Sequence, residues 1–164
     1  MTQPIAPCLW FDGKAEEAVN FYVSVFKSGD SRVLHVDRFT DAGPAPEAPV
    51  GFIEFQLNGR PFQAINGGPE FSFTEAISFS IVCADQAEVD YYWDTLTQGG
   101  EPGPCGWLKD KYGVSWQVVP ALLTELLRDA DQERAGRVMR RMLQMEGKLD
   151  VAELQAAYEG GAGE

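Results

Sequence analysis

Two stretches of this chain recur in the same order. Val19-Asn20-Phe21-Tyr22 returns in residue class as Val89-Asp90-Tyr91-Tyr92, 70 residues on. Gly59-Arg60-Pro61-Phe62-Gln63-Ala64-Ile65 returns as Gly113-Val114-Ser115-Trp116-Gln117-Val118-Val119, 54 residues on. Two ordered matches favour a duplicated supersecondary unit. The smaller second offset means that the second copy is shorter between its helix and its last hairpin, mostly because it has no counterpart of the Pro- and Ala-rich stretch 41–49.

Hydrophobic periodicity supplies the elements of each copy. In the first, residues 4–11 read as a strand, and 14–27 as an amphipathic helix with Ala15, Ala18, Val19, Tyr22 and Phe26 at helical spacing. Residues 31–39 alternate, which predicts Val33, His35 and Asp37 on one face and Leu34, Val36 and Arg38 on the other. After the loop 41–49 come strands 51–57 and 61–66, joined by Asn58-Gly59, a strong hairpin signal. In the second copy, 76–83 read as a strand and Asp85 caps a helix over 86–98, stopped by Gly99-Gly100. An irregular strand within 101–110 and a turn at Tyr112-Gly113 lead to strand 114–119. Helices are expected at 120–128, at 131–146, and from the capping pair Asp150 and Glu153 to about Tyr158. The fold class is therefore α+β, with two βαβββ modules over 1–70 and 71–120 and a helical extension over 121–164.

Paired βαβββ modules with an FY-type helix resemble the vicinal-oxygen-chelate superfamily. Three stretches resemble its PhnB-like branch more closely: PIAPCLWFDGKAEEAVNFY (4–22), FQAINGGPEF (62–71) and CGWLKDKYGVSWQVVP (105–120). The register of 135–158 is similar to that branch as well. The resemblance implies curved half-barrel sheets, a cleft, and pairing of modules, usually completed across a homodimer. It implies no single reaction, because the superfamily spans glyoxalases, dioxygenases, and fosfomycin- and bleomycin-resistance proteins. Some PhnB-like proteins carry a ubiquinone-precursor methyltransferase label. This chain has no strand followed by a Gly-rich loop of the kind that cradles S-adenosylmethionine.

Metal-binding members are implied to draw His or Glu ligands from the first and last strands of each module. The matching positions here are Ala6 or Pro7, Ile77 or Ser78, and the pseudo-equivalent Gln63 and Gln117. Side-chain amides are weak ligands for zinc, nickel or iron. The one histidine, His35, falls outside these positions. No metal site and no cofactor are expected. Gln63 and Gln117 remain as ligand hydrogen-bonding groups that both donate and accept, with Trp10 and Trp107 as aromatic walls and Cys8 lining the same site; Trp116 reads as core. Cys8 and Cys105 have no His or Lys beside them to activate a thiolate. Glu54 is the best-placed general base. Lys109 and Asp110 are expected to serve the second hairpin's turn.

The net charge of −12 repels phosphate backbones, so nucleic acid and anionic membranes are excluded as partners. No segment approaches the length of a membrane span and the N-terminus lacks a signal-peptide pattern, which predicts a cytoplasmic protein. The three cysteines lack CxxC spacing and read as free thiols. Six of the 13 basic residues lie beyond position 120, which suggests that the extension clasps the acidic body of a partner in a homodimer. The leading expectation is a metal-free small-molecule-binding protein. The alternatives are an enzyme with displaced metal ligands or a metal-free mechanism, and a purely structural dimer module.

Overall fold

The computed structural model describes residues 5–27, 29–40, 43, 44 and 49–160; most of the expected loop 41–49 and the tail 161–164 lie outside the described residues. The chain divides into two compact units, Met1–Phe73 and Thr74–Glu164.

The first unit runs β1 (Cys8–Phe11), α1 (Ala15–Val25), β2 (Arg32–Thr40), β3 (Gly43–Pro44), β4 (Val50–Leu57) and β5 (Arg60–Asn66). Its sheet has the order β1-β5-β4-β2-β3, with β1 parallel to β5 and the other pairs antiparallel. One face is apolar by alternation: Leu9, Phe11, Ile53, Phe55 and Ala64 are buried, as is the Ala15, Ala18, Val19, Tyr22 and Val25 stripe of α1. Each large side chain so buried contributes about 1.5–3 kcal/mol. Asn58 and Gly59 both have positive φ, 48° and 75°, as a two-residue hairpin turn matched to strand twist requires. The first helical N–H of α1 is satisfied from a distance: Asn66 Oδ1 accepts from Ala15 N at 2.9 Å while its Nδ2 donates to Val50 O at 2.9 Å.

One expectation for this sheet is overturned. Val33 pairs with Phe55 but His35 pairs with Glu54, so the ladder slips at Leu34. Such a bulge adds one residue and reverses the alternation beyond it. Val33 therefore shares the face of buried Phe55, and His35 shares the opposite face with Glu54.

The second unit runs β6 (Phe79–Cys83), α2 (Gln86–Leu96), β7 (Glu101–Pro102), β8 (Trp107–Lys109), β9 (Ser115–Pro120), α3 (Ala121–Leu127), α4 (Gln132–Leu143) and α5 (Val151–Glu159). Its sheet has the order β6-β9-β8-β7, with β6 parallel to β9. Ile81, Cys83, Leu108, Trp116 and Val118 are buried with Val89, Tyr92, Trp93 and Leu96 of α2. Asp85 caps α2 by accepting from Glu88 N at 2.9 Å, and Glu88 Oε2 accepts from Ala84 N at 2.8 Å. The strand expected from residue 76 starts only at Phe79, and Ile77 is 74% exposed.

The helical extension has its own core of Leu123, Leu126, Val138, Met145, Leu149 and Leu154. It is joined to the β7–β8 loop by two backbone hydrogen bonds, Cys105 N to Met145 O and Gly106 N to Gly147 O, both 2.9 Å. The Gln86 amide ties α2 to the start of α5, accepting from Val151 N at 2.8 Å and donating to Leu149 O at 3.2 Å. Arg137 donates to the carbonyls of Ala157 and Tyr158 at the end of α5, where cations suit the helix dipole. Arg134 pairs with Asp131, Arg141 with Glu153, and Lys148 with Asp90 and Asp94. Four of the six basic groups of the extension are thus taken up within their own chain, and charge complementarity gives no separate ground for a clasp on a partner. Among the described residues no helix is long and apolar enough to cross a membrane.

Candidate functional site

Each unit covers one face of its sheet with a helix and leaves the other open. In the first unit the strand register places Cys8, Gln63, Glu54 and His35 in one row across β1, β5, β4 and β2. Directly paired residues point to the same side of a sheet, so this row lies on the open face. The next row is Trp10, Ile65, Phe52 and Asp37. All four of the expected first-module groups, Cys8, Gln63, Glu54 and Trp10, are therefore on one face, and His35 joins them. The row is polar in the middle and aromatic along one border.

The ring of Trp10 is held in place. Its Nε1 donates to Gly68 O at 2.8 Å, and Phe71 meets the ring edge-on with centroids 4.9 Å apart. Gly67 lies against the ring so closely that a Cβ there would fall 2.1 Å from it, which only glycine permits. Gln63 and Glu54 make no side-chain hydrogen bond among the described residues. His35 Nε2 lies 2.9 Å from Asp37 Oδ1. Cys8 is exposed, yet partial desolvation pushes its thiol above the ordinary value, which opposes a nucleophilic role.

In the second unit the equivalent row is Ser80, Gln117 and Trp107 across β6, β9 and β8. Gln117 Nε2 donates to Ser78 Oγ at 2.8 Å. Ser115, two residues before Gln117 on β9, shares this face and pairs in register with Lys109, which pairs with Glu101. Lys109 Nζ is 2.5 Å from Glu75 Oε1. That contact holds the Glu75 carboxyl below its ordinary range, and Glu75, aided by Glu101, raises the Lys109 ammonium. Lys109 thus faces acids on the open side, whereas Asp110 is buried and does serve the turn. Asp110 Oδ1 accepts from Tyr112 N at 2.8 Å and Val114 N at 3.1 Å, and Oδ2 accepts from Trp116 Nε1 at 2.8 Å. The DKYGVSW segment is therefore a hairpin held by its own aspartate. Trp116 faces the core as expected. Cys105 lies in the β7–β8 loop, outside the strands. Burial among Glu88 and Asp85 pushes the Cys83 thiol up to about 12.

A family model described as 3-demethylubiquinone-9 3-methyltransferase matches residues 3–119. The PhnB protein from Bacillus cereus is 39% identical; its whole length aligns with 73% of this chain at a TM-score of 0.63. The chain belongs to the PhnB-like family. A Pseudomonas aeruginosa protein (22% identity, 73% of this chain and 98% of that one, TM-score 0.58) shares the PhnB-like fold. So does a fosfomycin resistance protein from Listeria monocytogenes, crystallised with manganese(II) and sulfate. That protein is 11% identical over 78% of this chain and 99% of its own, with a TM-score of 0.56. These likenesses show a shared fold. No match is found among the curated proteins. The family model ends at residue 119, so the helical extension stands outside the matched span.

The residues of the PhnB-like rows do not fit a divalent metal of the kind the resemblance implies. The edge-strand and last-strand partners are Cys8 with Gln63 and Ser80 with Gln117, with two amides where carboxylates would be needed. Cys8 and His35 stand three strand spacings apart, about 14 Å. Among the described residues no three His, Cys, Asp or Glu side chains converge. Sequence reasoning missed His35 as a member of the row, because nothing in the residue string marks the bulge at Leu34. It also missed Ser115, whose hydroxyl looks like that of an ordinary strand residue until its depth is known, and it matched Ser78 to a metal-ligand place without foreseeing its hydrogen bond to Gln117.

Proposed function

We propose that this PhnB-like chain binds a small uncharged polar or aromatic molecule on the open faces of its sheets, without a metal ion. The observation that carries the reading is the repeated row: an amide at the same place in both modules, with a tryptophan on the same face of each. An amide that both donates and accepts selects a neutral polar ligand, and an indole face adds flat apolar area. Gln63, Gln117, Trp10, Trp107 and Cys8 are the ligand-contacting groups of this proposal. The protein acts as a cytoplasmic homodimer in the same reading, since edge strands β1 and β6 leave unpaired backbone that a second copy can cover.

A thermal-shift screen with quinones, aromatic antibiotics, phosphonates and divalent metals tests it. At least one organic ligand should raise the melting temperature, and manganese, nickel and zinc should not. Elemental analysis giving about one transition metal per chain defeats the metal-free reading. Light scattering at micromolar concentration decides the dimer.

A second reading has one observation behind it. The bulge brings His35 beside Glu54 in the row, and an imidazole next to a carboxylate is equipment for proton transfer. In that reading Glu54 is the base of a metal-free enzyme. Loss of turnover in Glu54→Gln with ligand binding retained would select it over simple binding.

A further inference from the structure

We propose that the cavity between the β7–β8 loop and the open face of β9 is a binding site for a planar, uncharged aromatic molecule carrying a hydroxyl or carbonyl. The proposal rests on the reading that the open face of the second sheet binds small molecules, and names the ligand class for that face. The cavity has a volume of about 440 Å³, in the range of ligand sites. Its walls are largely apolar, from Pro102, Pro104, Trp107 and Leu108. Among its lining residues, Ser115 is only 1% exposed, and its Oγ has no hydrogen-bond partner among the described residues. A buried hydroxyl without a partner opposes folding. A ligand oxygen placed over it would remove that cost and gain a hydrogen bond in a dry setting.

Charge selects against anions. Lys109 is the cation of the lining, and it is held by Glu75 and faced in register by Glu101. Two carboxylates against one ammonium leave the wall negative, so a carboxylate or phosphate ligand is repelled. The shape of the site is set in advance. Gly103 N donates to Trp107 O at 2.8 Å and Trp107 N to Pro104 O at 3.0 Å. Cys105 and Gly106 adopt positive φ, 55° and 80°, and their N–H groups are fixed by Met145 O and Gly147 O. A rigid mouth lowers the ordering cost of binding.

The test titrates p-cresol, toluene and p-toluate into the full chain at pH 7, followed by ¹H–¹⁵N correlation spectra. p-Cresol should give saturable shifts at the Trp107 indole and at the Ser115 and Lys109 amides. p-Toluate should bind at least about tenfold more weakly. Ser115→Ala should weaken p-cresol about tenfold, one hydrogen bond's worth, and toluene by no more than about twofold. Free of ligand, Ser115→Ala should melt about 2–4 °C higher, because the orphan hydroxyl is gone. Trp107→Leu should weaken all three probes. Equal losses of p-cresol and toluene in Ser115→Ala, or a lower melting temperature, would overturn the role of Ser115. Failure of p-cresol to saturate would overturn the site. Saturable shifts confined to Trp10 and Gln63 would overturn this site while leaving the general small-molecule reading intact.

Discussion

The two modules repeat one pattern of elements yet present different chemistry on the same architectural face. The first shows a broad row with ionisable groups, Glu54 and His35, beside an unengaged amide, Gln63. The second shows hydroxyls, an engaged amide and a walled cavity, with its charges confined to Lys109 and its acids. The difference has local causes. A bulge at Leu34 turns His35 outward in one copy, and a short loop packed under the C-terminal extension builds a wall in the other. The row positions thus recur in both modules while their surroundings differ.

The turns break the comparison most sharply. The first hairpin is tied to the residues just before β2, with Asn58 N donating to Ser31 Oγ at 2.9 Å and Gly59 N to Asp30 O at 2.7 Å, whereas the second hangs on the buried Asp110. Asp110→Ala strands three donors, Tyr112 N, Val114 N and Trp116 Nε1, and should cost about 3–5 kcal/mol, or roughly 10 °C in melting temperature. Gly59→Ala meets no neighbour within 4 Å but must hold φ at 75°. Its cost should be only about 1–2 kcal/mol. Calorimetry on both variants checks the contrast; equal losses would mean that the two hairpins share one logic.

Acid should separate the modules next. Glu75, Asp90 and Asp129 all lie in the second unit, and all are held below their ordinary pKa, by Lys109, by Lys148 with Gln86, and by the Asp131 N–H with Tyr158. Carboxyls lowered on folding stabilise above their unfolded pKa, and that contribution is lost as pH falls through the lowered values. Lys109 and Lys148, raised on folding, contribute below the ordinary lysine value and lose it as pH climbs through their raised ones. Hydrogen exchange between pH 5 and 3 should therefore show residues 74–160 loosening before 5–73. Simultaneous loosening would defeat the assignment. These groups are exposed, so the effect is modest and shrinks with salt.

The smallest expected effect concerns the amides. Gln117→Leu deprives the Ser78 hydroxyl of its donor and should cost about 0.5–1 kcal/mol. Gln63→Leu, with no partner to lose, should change stability by less than about 0.5 kcal/mol. Urea denaturation of the two variants reads the difference, and a larger loss at Gln63 would reverse it.

Much of this architecture is readable in the residue string, and for identifiable reasons. The Asn58-Gly59 turn, the Asp85 and Asp150 caps and the helical stripes are local signals, and each appears where its residues predict it. The row positions of Gln63 and Gln117 follow from the repeat. What stayed hidden is non-local. The slip at Leu34 depends on how β2 meets β4, and straight alternation puts His35 on the wrong face. The cavity that Ser115 lines is shared with a loop about ten residues earlier. The partners of Arg137 and Lys148 lie on other helices, so a tally of basic residues suggested an external partner where internal ones exist.

The two hydrogen bonds from Met145 and Gly147 to the β7–β8 loop have a consequence in time. The loop is complete at residue 106, but the carbonyls that fix it arrive about 40 residues later. At 5–20 residues per second of synthesis, the nascent second module waits about 2–8 s without them. During that interval the loop has only its bonds within the sheet region, such as Trp107 N to Pro104 O and Val118 N to Gly106 O, and the N–H groups of Cys105 and Gly106 are not yet fixed. The cavity wall is therefore among the last features to take shape as the chain is made, well after the sheet behind it can pair.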